Sequence, residues 1–290
     1  MPIAFTLLPH RGVIAVGGED RASFLQGLIS NDTSKVAPGQ AIWAALLTPQ
    51  GRFLNDMFVA DGGGDTLLLE TERERASALA RKLTLYKLRS RVTVEDRGAA
   101  MEVAVAFGSG VEKLVPLSGA TAFPDSRLPA LGVRVLAPTG QAAALLAARG
   151  AEQADLEAYE KLRLSLGVPD GSRDLLPEKA LLLESGFDEL NGVDWNKGCY
   201  MGQELTARTK YRGLVRKRLF PVKVEGPLPA FGAAIERDGQ EVGEIRSGAG
   251  DRALAMLRLE AVRAEGPLTS GETRIQPEVP AWMRLPEPAD

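Results

Sequence analysis

The chain has 290 residues, of which 44% are apolar and 25% are charged, and its formal net charge is −3. These proportions are typical of a folded globular protein that is long enough for more than one packed unit. The acidic balance provides no overall positive field for nucleic acid. A single cysteine excludes an intrachain disulfide and any zinc or iron-sulfur site held by several thiolates of one chain.

The first residues, Met1-Pro2-Ile3-Ala4-Phe5, contain no basic stretch followed by a long apolar run. No later segment reaches the apolar length of a membrane span. We therefore predict a protein without a membrane partner and with a cytoplasmic location.

The N-terminal part alternates between strand-like and helix-like patterns. A short β run at 13–16 precedes a helical pattern at 21–29, and the runs at 41–47 and 53–60 are separated by turn formers, which predicts a hairpin. Residues 73–88 have helical propensity and period, and β character returns in the segments that follow. This order predicts a mixed α+β region.

A further helix is predicted at 139–149, and another in the segment ADLEAYEKLRLSLG that follows. In the second helix, the spacing of Leu156, Tyr159, Leu162 and Leu166 predicts a shared buried stripe.

Beyond Phe220 the pattern changes to short β runs broken by Gly, Pro and Asp-Gly. That pattern is typical of a small antiparallel barrel or sandwich. We therefore predict one region over residues 1–216 and a C-terminal β domain over residues 217–290.

Few residues suit catalytic chemistry. His10 is the only histidine, so a catalytic relay or a histidine-rich metal site would depend on this single residue, and no metal site is expected.

Cys199 lies in NKGCYMGQELTARTKYRG (196–213), close to Lys197 and a basic run. Cations and a helix that opens near Gly202 would favour a thiolate, whereas free cysteine is usually a small buried hydrophobe. The residues alone leave both interpretations open.

Glu184 follows an apolar run in LLLESGF, where a partly buried carboxylate needs hydrogen-bond donors. A pterin or guanine edge would supply a ring N–H beside an exocyclic amine. An internal salt bridge to an arginine would also satisfy the carboxylate, so this choice stays open too.

Six basic residues follow the cysteine closely. A polyanion or a carboxylate-bearing ligand would suit this cluster, and so would a solvated connector between domains. An RNA-docking surface over 208–218 is thus one functional hypothesis, but the acidic overall balance argues against nucleic acid as a partner. The cluster comprises Arg208, Lys210, Arg212, Arg216, Lys217 and Arg218.

The segment KGCYMGQE (197–204), followed by LTARTKYRG, resembles the signature of the YgfZ family of folate-binding proteins, whose mitochondrial relatives assist iron-sulfur cluster assembly. Further segments resemble other parts of that family: residues 18–59, the run LLLESGFDELNGVDWNKGCY, and the runs VGEIRS and ALAMLRL. The resemblance therefore covers nearly the whole chain.

Residues 18–59 also resemble the T-protein of the glycine cleavage system, an aminomethyltransferase that uses tetrahydrofolate. The T-protein has a pair of aspartates after its glycine turn, whereas the matching residues here are Asn55 and Asp56. The T-protein also lacks the KGC signature. Both differences favour the branch that is not a transferase, and they leave Asp56 as an expected folate contact.

The resemblance implies a T-protein-like α+β body, divided into two subdomains around a central cavity, with a C-terminal antiparallel β-barrel. It implies non-covalent tetrahydrofolate as the cofactor, bound by Glu184, Asp56 and Tyr200. Cys199 is implied as the functional thiol, with Lys197 beside it. The remaining residues implied in the signature loop are Gly198, Gly202, Gln203 and Glu204.

The expected function is to assist the assembly or repair of iron-sulfur clusters in client enzymes, with folate and the client or assembly proteins as partners. One thiol argues against a stably bound cluster. A folate-dependent aminomethyltransferase or demethylase that uses Asp56 is the alternative, and the sequence leaves open whether the chain is an enzyme.

Overall fold

A computed structural model describes residues 2–213 and 215–285. Its helices are α1 (Arg21–Gln26), α2 (Arg73–Tyr86), α3 (Ala142–Ala147), α4 (Leu156–Ser165), α5 (Gln203–Tyr211) and α6 (Leu259–Arg263). Its strands are β1 (Ala4–Leu7), β2 (Arg11–Gly17), β3 (Ile42–Leu47), β4 (Phe53–Asp61), β5 (Thr66–Glu72), β6 (Thr93–Asp96), β7 (Met101–Phe107), β8 (Thr121–Pro124), β9 (Val133–Pro138), β10 (Glu152–Gln153), β11 (Lys217–Glu225), β12 (Ala234–Arg237), β13 (Gln240–Ala249), β14 (Arg252–Arg258), β15 (Leu268–Ser270) and β16 (Thr273–Pro277).

The chain divides into two compact units. The first contains the residues up to 49, residues 54–156 and residues 191–201, and the second contains residues 50–53, residues 157–190 and the described residues from 202 onward. Among the described residues, no helix combines the length and the apolar character needed to cross a bilayer.

The first unit is built on two five-stranded sheets, in the orders β3-β4-β5-β2-β6 and β10-β1-β7-β9-β8. Helix α2 covers one face of the first sheet, because Ala76, Leu79, Ala80 and Leu83 recur at helical spacing and are all buried. Helix α3 packs in the same way on the second sheet, where Leu146 joins the core.

Buried charges link the two sheets of the first unit. Arg11 of β2 contacts Glu70 of β5 at 2.9 Å between Nε and Oε1, and the same carboxylate oxygen accepts a hydrogen bond from Arg134 of β9. Asp125 accepts from Arg134 and from Arg127, at 2.9 and 2.7 Å. The side chains in these pairs are at most 3% exposed. Since desolvation penalises an unpaired charge heavily, these partners depend on one another.

The second unit contains a closed barrel of the strands β11-β14-β13-β12-β15-β16, in which neighbours are antiparallel. Phe220, Val222, Ile235 and Ile245 belong to its apolar core. The predicted C-terminal antiparallel β architecture is thus confirmed as a barrel, and the α+β class is confirmed as well. The predicted domain boundary at residue 217 stays a prediction.

The predicted stripe on α4 is partly wrong. Tyr159 is buried, but the three leucines predicted with it are only half-buried, and Glu160 and Arg163 take their place inside. Arg163 donates to Asp174 Oδ2 at 2.8 Å and to Ser247 Oγ of β13 at 2.9 Å. Paired charges can occupy buried positions that a hydrophobic pattern assigns to leucines.

The pairing of Asp125 predicts a dependence of stability on pH. Burial opposes ionisation of this carboxyl, but Arg127 and Arg134 outweigh burial and lower its pKa from 3.8 to about 2. A carboxyl whose pKa is lower in the folded state stabilises the fold above its unfolded pKa, and this contribution is lost as the pH falls toward the folded pKa.

We predict that Asp125→Asn lowers the free energy of unfolding by about 3 kcal/mol at neutral pH. This difference from the unmodified protein should narrow by about 2 kcal/mol between pH 5 and pH 2, as Asp125 becomes protonated. Urea denaturation of both proteins across this range measures it. Asp65→Asn, at a highly exposed carboxylate, is the control, and a difference for Asp125→Asn that does not change with pH would contradict the prediction.

Candidate functional site

The cysteine loop, residues 191–201, is tied to an N-terminal segment of the same unit. Ser30 Oγ donates a hydrogen bond to the carbonyl oxygen of Gly192 at 2.6 Å. Asn31 Nδ2 donates to the carbonyl oxygen of Asn191 at 2.7 Å. Both side chains are buried, so the loop supplies acceptors that these polar groups need.

Asp194 shapes the loop just before the cysteine. Its Oδ1 accepts hydrogen bonds from the backbone N–H groups of Asn196 and Lys197, at 2.7 and 3.0 Å, and its Oδ2 lies 2.5 Å from Lys35 Nζ. Burial opposes ionisation, but the hydrogen bonds from Lys35 and the two amides outweigh it and hold the pKa of Asp194 below its ordinary value. The ionised carboxylate therefore stabilises the turn into the cysteine.

Lys197 anchors the same loop. Its Nζ donates to the carbonyl oxygens of Ile29 and Asn31, both at 2.6 Å, and lies 5.2 Å from the centre of the Tyr200 ring. Burial lowers the pKa of Lys197 to about 8, against the opposing effect of two nearby carboxylates. Its ammonium group thus anchors the loop that carries Cys199.

Cys199 is exposed to solvent, whereas the next residue, Tyr200, is only 8% exposed. At Gly198, the residue before Cys199, an added Cβ atom would meet no atom within 4 Å. Tyr200 is therefore buried and Lys197 is half-buried, whereas Cys199 lies exposed beside open space. A buried cysteine that serves only for packing does not have this setting.

The last part of the signature lies in the second unit. Gly202 has a φ of +80° and directly precedes α5, so the predicted start of a helix at this point is confirmed. A Cβ atom on Gly51 would lie 2.7 Å from the carbonyl oxygen of Gly202, so this contact requires glycine at position 51. Glu204 is exposed and makes no hydrogen bond among the described residues, and Gln203 is half-buried. Their functional roles stay predictions.

Glu184, also in the second unit, lies in the short 3₁₀ turn Leu183–Ser185. Its side chain is mostly buried, and the charged group in contact with it is Lys217, whose Nζ lies 3.9 Å from Oε2. Among the residues described, no donor forms a hydrogen bond with this carboxylate. Burial raises the pKa of Glu184, and Lys217 and Arg52 oppose that rise. The turn therefore carries a carboxylate with unused acceptor capacity.

Asp56 has a different environment. Its Oδ1 accepts from Arg11 Nη1 at 3.2 Å, and its Oδ2 accepts from Trp43 Nε1 at 3.2 Å. The side chain is only 1% exposed. Both carboxylate oxygens are thus bonded to protein donors within the charge network that links the two sheets.

The sequence did not reveal the residues that anchor the cysteine loop. Ser30, Asn31 and Lys35 belong to the run SNDTSK, which indicates only a turn when the neighbouring residues alone are considered. Their partners lie about 160 residues further along the chain. The sequence contained no local signal that could identify these partners.

Comparison with known proteins finds relatives that match nearly the whole chain. A family model described as the CAF17 C-terminal beta-barrel domain matches residues 216–285. The chain is 36% identical to the mouse protein named iron-sulfur cluster assembly factor IBA57, mitochondrial, covering 95% of this chain and 84% of that one. The human protein of the same name is also 36% identical, with the same coverage, and a homologue from Aspergillus clavatus is 30% identical over 97% and 81% of the two chains.

The fold resembles that of a solved T-protein. The crystal structure of the glycine cleavage system aminomethyltransferase T from Bartonella henselae matches with a TM-score of 0.75 and 18% sequence identity, over 94% of this chain and 84% of that one. The T-protein-like fold that the sequence predicted is therefore confirmed.

The prediction of a cytoplasmic location is wrong. The names of the curated relatives from mouse, human and Aspergillus clavatus place those proteins in mitochondria. The absence of a leader pattern in a sequence does not determine the compartment of the protein.

The anchoring role of Lys197 generates a test. We predict that Lys197→Met lowers the free energy of unfolding by about 2 kcal/mol, because two carbonyl groups lose a charged donor. Urea denaturation measures the change. Lys161→Met removes an exposed lysine that pairs with Glu157, and this control should change stability by less than about 0.5 kcal/mol. Equal effects of the two substitutions would show that Lys197 does not anchor the loop.

Proposed function

The chain belongs to the family of the iron-sulfur cluster assembly factor IBA57, and we propose that it assists the assembly or repair of iron-sulfur clusters in client enzymes, with Cys199 as the functional thiol. The observation that supports this role most directly is the exposed thiol on a firmly anchored loop. A partner protein can reach it without any rearrangement of the loop.

We propose that Cys199 supplies one ligand to a cluster in transit. A cluster needs several ligands, and this chain has one cysteine, so the other ligands come from the partner. When the sulfur binds iron, the thiol proton passes to solvent and no redox change is required. The open space beside Gly198 suits the approach of a second protein.

Tetrahydrofolate is the proposed ligand of the second unit, and Glu184 fits it. The Glu184 carboxylate accepts no hydrogen bond from the described residues, so it can accept from the ring N–H and the exocyclic amine of a pterin. Lys217 and Arg52 favour its ionised form, which can accept both bonds. Bound tetrahydrofolate would supply the capacity to carry a one-carbon unit.

The proposed folate contacts at Asp56 and Tyr200 have less support. Asp56 already accepts hydrogen bonds from Arg11 and Trp43, and Tyr200 is buried beside Lys197. The same buried position of Asp56 argues against the aminomethyltransferase alternative, which requires this carboxylate to meet a folate amine. Glu184 is therefore the residue on which the folate proposal depends.

Titration calorimetry with tetrahydrofolate tests the ligand. We expect Glu184→Gln to weaken binding at least 10-fold. The glutamine amide has one acceptor oxygen and one NH2 donor, so its NH2 group would face an N–H donor of the pterin and form no hydrogen bond with it. Glu241→Gln, at an exposed position on β13, should bind like the unmodified protein. If the unmodified protein does not bind tetrahydrofolate, the folate part of the proposal is wrong.

The role of the thiol is tested in cells that depend on this protein for the activity of an iron-sulfur enzyme. We expect Cys199→Ser to bind tetrahydrofolate normally and to lose at least 90% of the client activity that the unmodified protein restores. Full restoration by Cys199→Ser would overturn the assembly role of this thiol, whatever the outcome of the folate titration.

A further inference from the structure

The end of α2 has an unusual residue at an exposed position. Leu88 follows the capping residue Lys87 and has a φ of +44°, in the left-handed region where helix ends favour glycine. This conformation is unfavourable for leucine, and burial does not offset the strain because the residue is 87% exposed. Neither helix termination nor packing accounts for a leucine here.

A second exposed leucine lies close by. Leu85, on the last turn of α2, is 75% exposed. It lines a groove between α2 and β6, together with Ala80 and Arg81 of the helix and Val94 of the strand, and the volume of this groove is about 490 Å³. Exposed apolar side chains beside a groove are typical of binding surfaces.

Strand β6 is the last strand of its sheet. It pairs with β2 on one side, from Thr93 to Asp96, and no strand of the described residues pairs with its other side. An edge strand beside a groove can accept an extended segment of another chain through backbone hydrogen bonds.

The surroundings of the groove are basic, in contrast to the chain as a whole. Residues 75–94 contain six Arg or Lys residues and no Asp or Glu, although the net charge of the chain is −3. Within the described part of the chain, Arg81, Lys82 and Arg89 form no ion pair. Two acidic residues end β6: Glu95 pairs with Arg97 at 2.8 Å, and Asp96 lines the groove. The surface therefore favours an acidic partner.

We propose that the groove between α2 and β6 binds an extended, acidic segment of another protein. Apolar side chains of that segment would lie against Leu85, which lines the groove, and against Leu88, which lines a second pocket at the end of α2 together with Arg89. This inference concerns a docking surface on the first unit and does not depend on folate binding or on Cys199. The segment would pair with the free edge of β6, and its carboxylates would meet Arg81 and Arg89.

The geometry favours a protein segment over an anionic membrane. An extended protein segment can form backbone hydrogen bonds with the edge of β6, whereas a lipid surface cannot form this ladder. A second copy of this chain is the remaining candidate. If a second copy filled the groove, the protein would self-associate, whereas binding of a segment from another protein does not require self-association.

The probe is a fluorescein-labelled synthetic peptide of seven residues in which leucine alternates with Asp or Glu. Fluorescence anisotropy measures its binding to the full chain. We expect it to bind at least 10-fold more tightly than the same peptide with lysine at the acidic positions. Raising the salt concentration should weaken this binding.

Three variants test the surface, with one control. Leu88→Asn should preserve or raise Tm, because asparagine tolerates the left-handed conformation, yet weaken peptide binding at least 5-fold. Leu85→Gln should weaken it similarly, and the double variant Arg81→Glu, Arg89→Glu should abolish the preference for the acidic peptide. Val279→Thr, at an exposed apolar position in the second unit, should bind normally.

Equal binding of the acidic and basic peptides, or normal binding by Leu88→Asn and Leu85→Gln, would overturn the proposal. Two further measurements separate the other occupants. Co-sedimentation with phosphatidylcholine vesicles that contain 30% phosphatidylserine, lost in Leu88→Asn, would assign the surface to membranes instead. Self-association in sedimentation velocity that Leu85→Gln abolishes would assign it to a second copy of the chain.

Discussion

Mutual neutralisation of buried charges holds the first unit together. Three arginines and three carboxylates lie between its two sheets, and each loses its hydration on folding, so each is tolerated only because its partners are in place. The guanidinium groups of Arg127 and Arg134 also lie 4.9 and 4.3 Å from the ring centre of Phe58. The network therefore couples the register of one sheet to that of the other.

This constraint determines what Asp56 can do. Its carboxylate neutralises Arg11, so a ligand that recruited Asp56 would leave an arginine buried without a partner. A residue that a transferase would use in chemistry serves architecture here. A fold shared with the T-protein is thus compatible with a different function, because function depends on the residues of the site and not on the fold.

The two groups on which the proposed function depends belong to different units and differ in their physical setting. Cys199 is exposed on a loop whose backbone is held by Lys197, Asp194 and Ser30. Glu184 is mostly buried, with its pKa raised, and retains unused acceptors. An exposed thiol suits exchange with a macromolecule, whereas a sheltered carboxylate suits recognition of a small ring with N–H donors.

Local pattern in the sequence predicted most helices and strands and a C-terminal antiparallel β architecture, because hydrophobic period and turn chemistry act between near neighbours. The resemblance of several segments to a known family implied the T-protein-like fold and the barrel. Only the tertiary structure decided the environments of the polar residues. It placed Asp56 beside Arg11, Lys197 against the carbonyl oxygens of Ile29 and Asn31, and the pair Glu160 and Arg163 inside where a leucine stripe was predicted. Whether a charge is buried depends on partners that are often distant in sequence, and no local pattern identifies those partners.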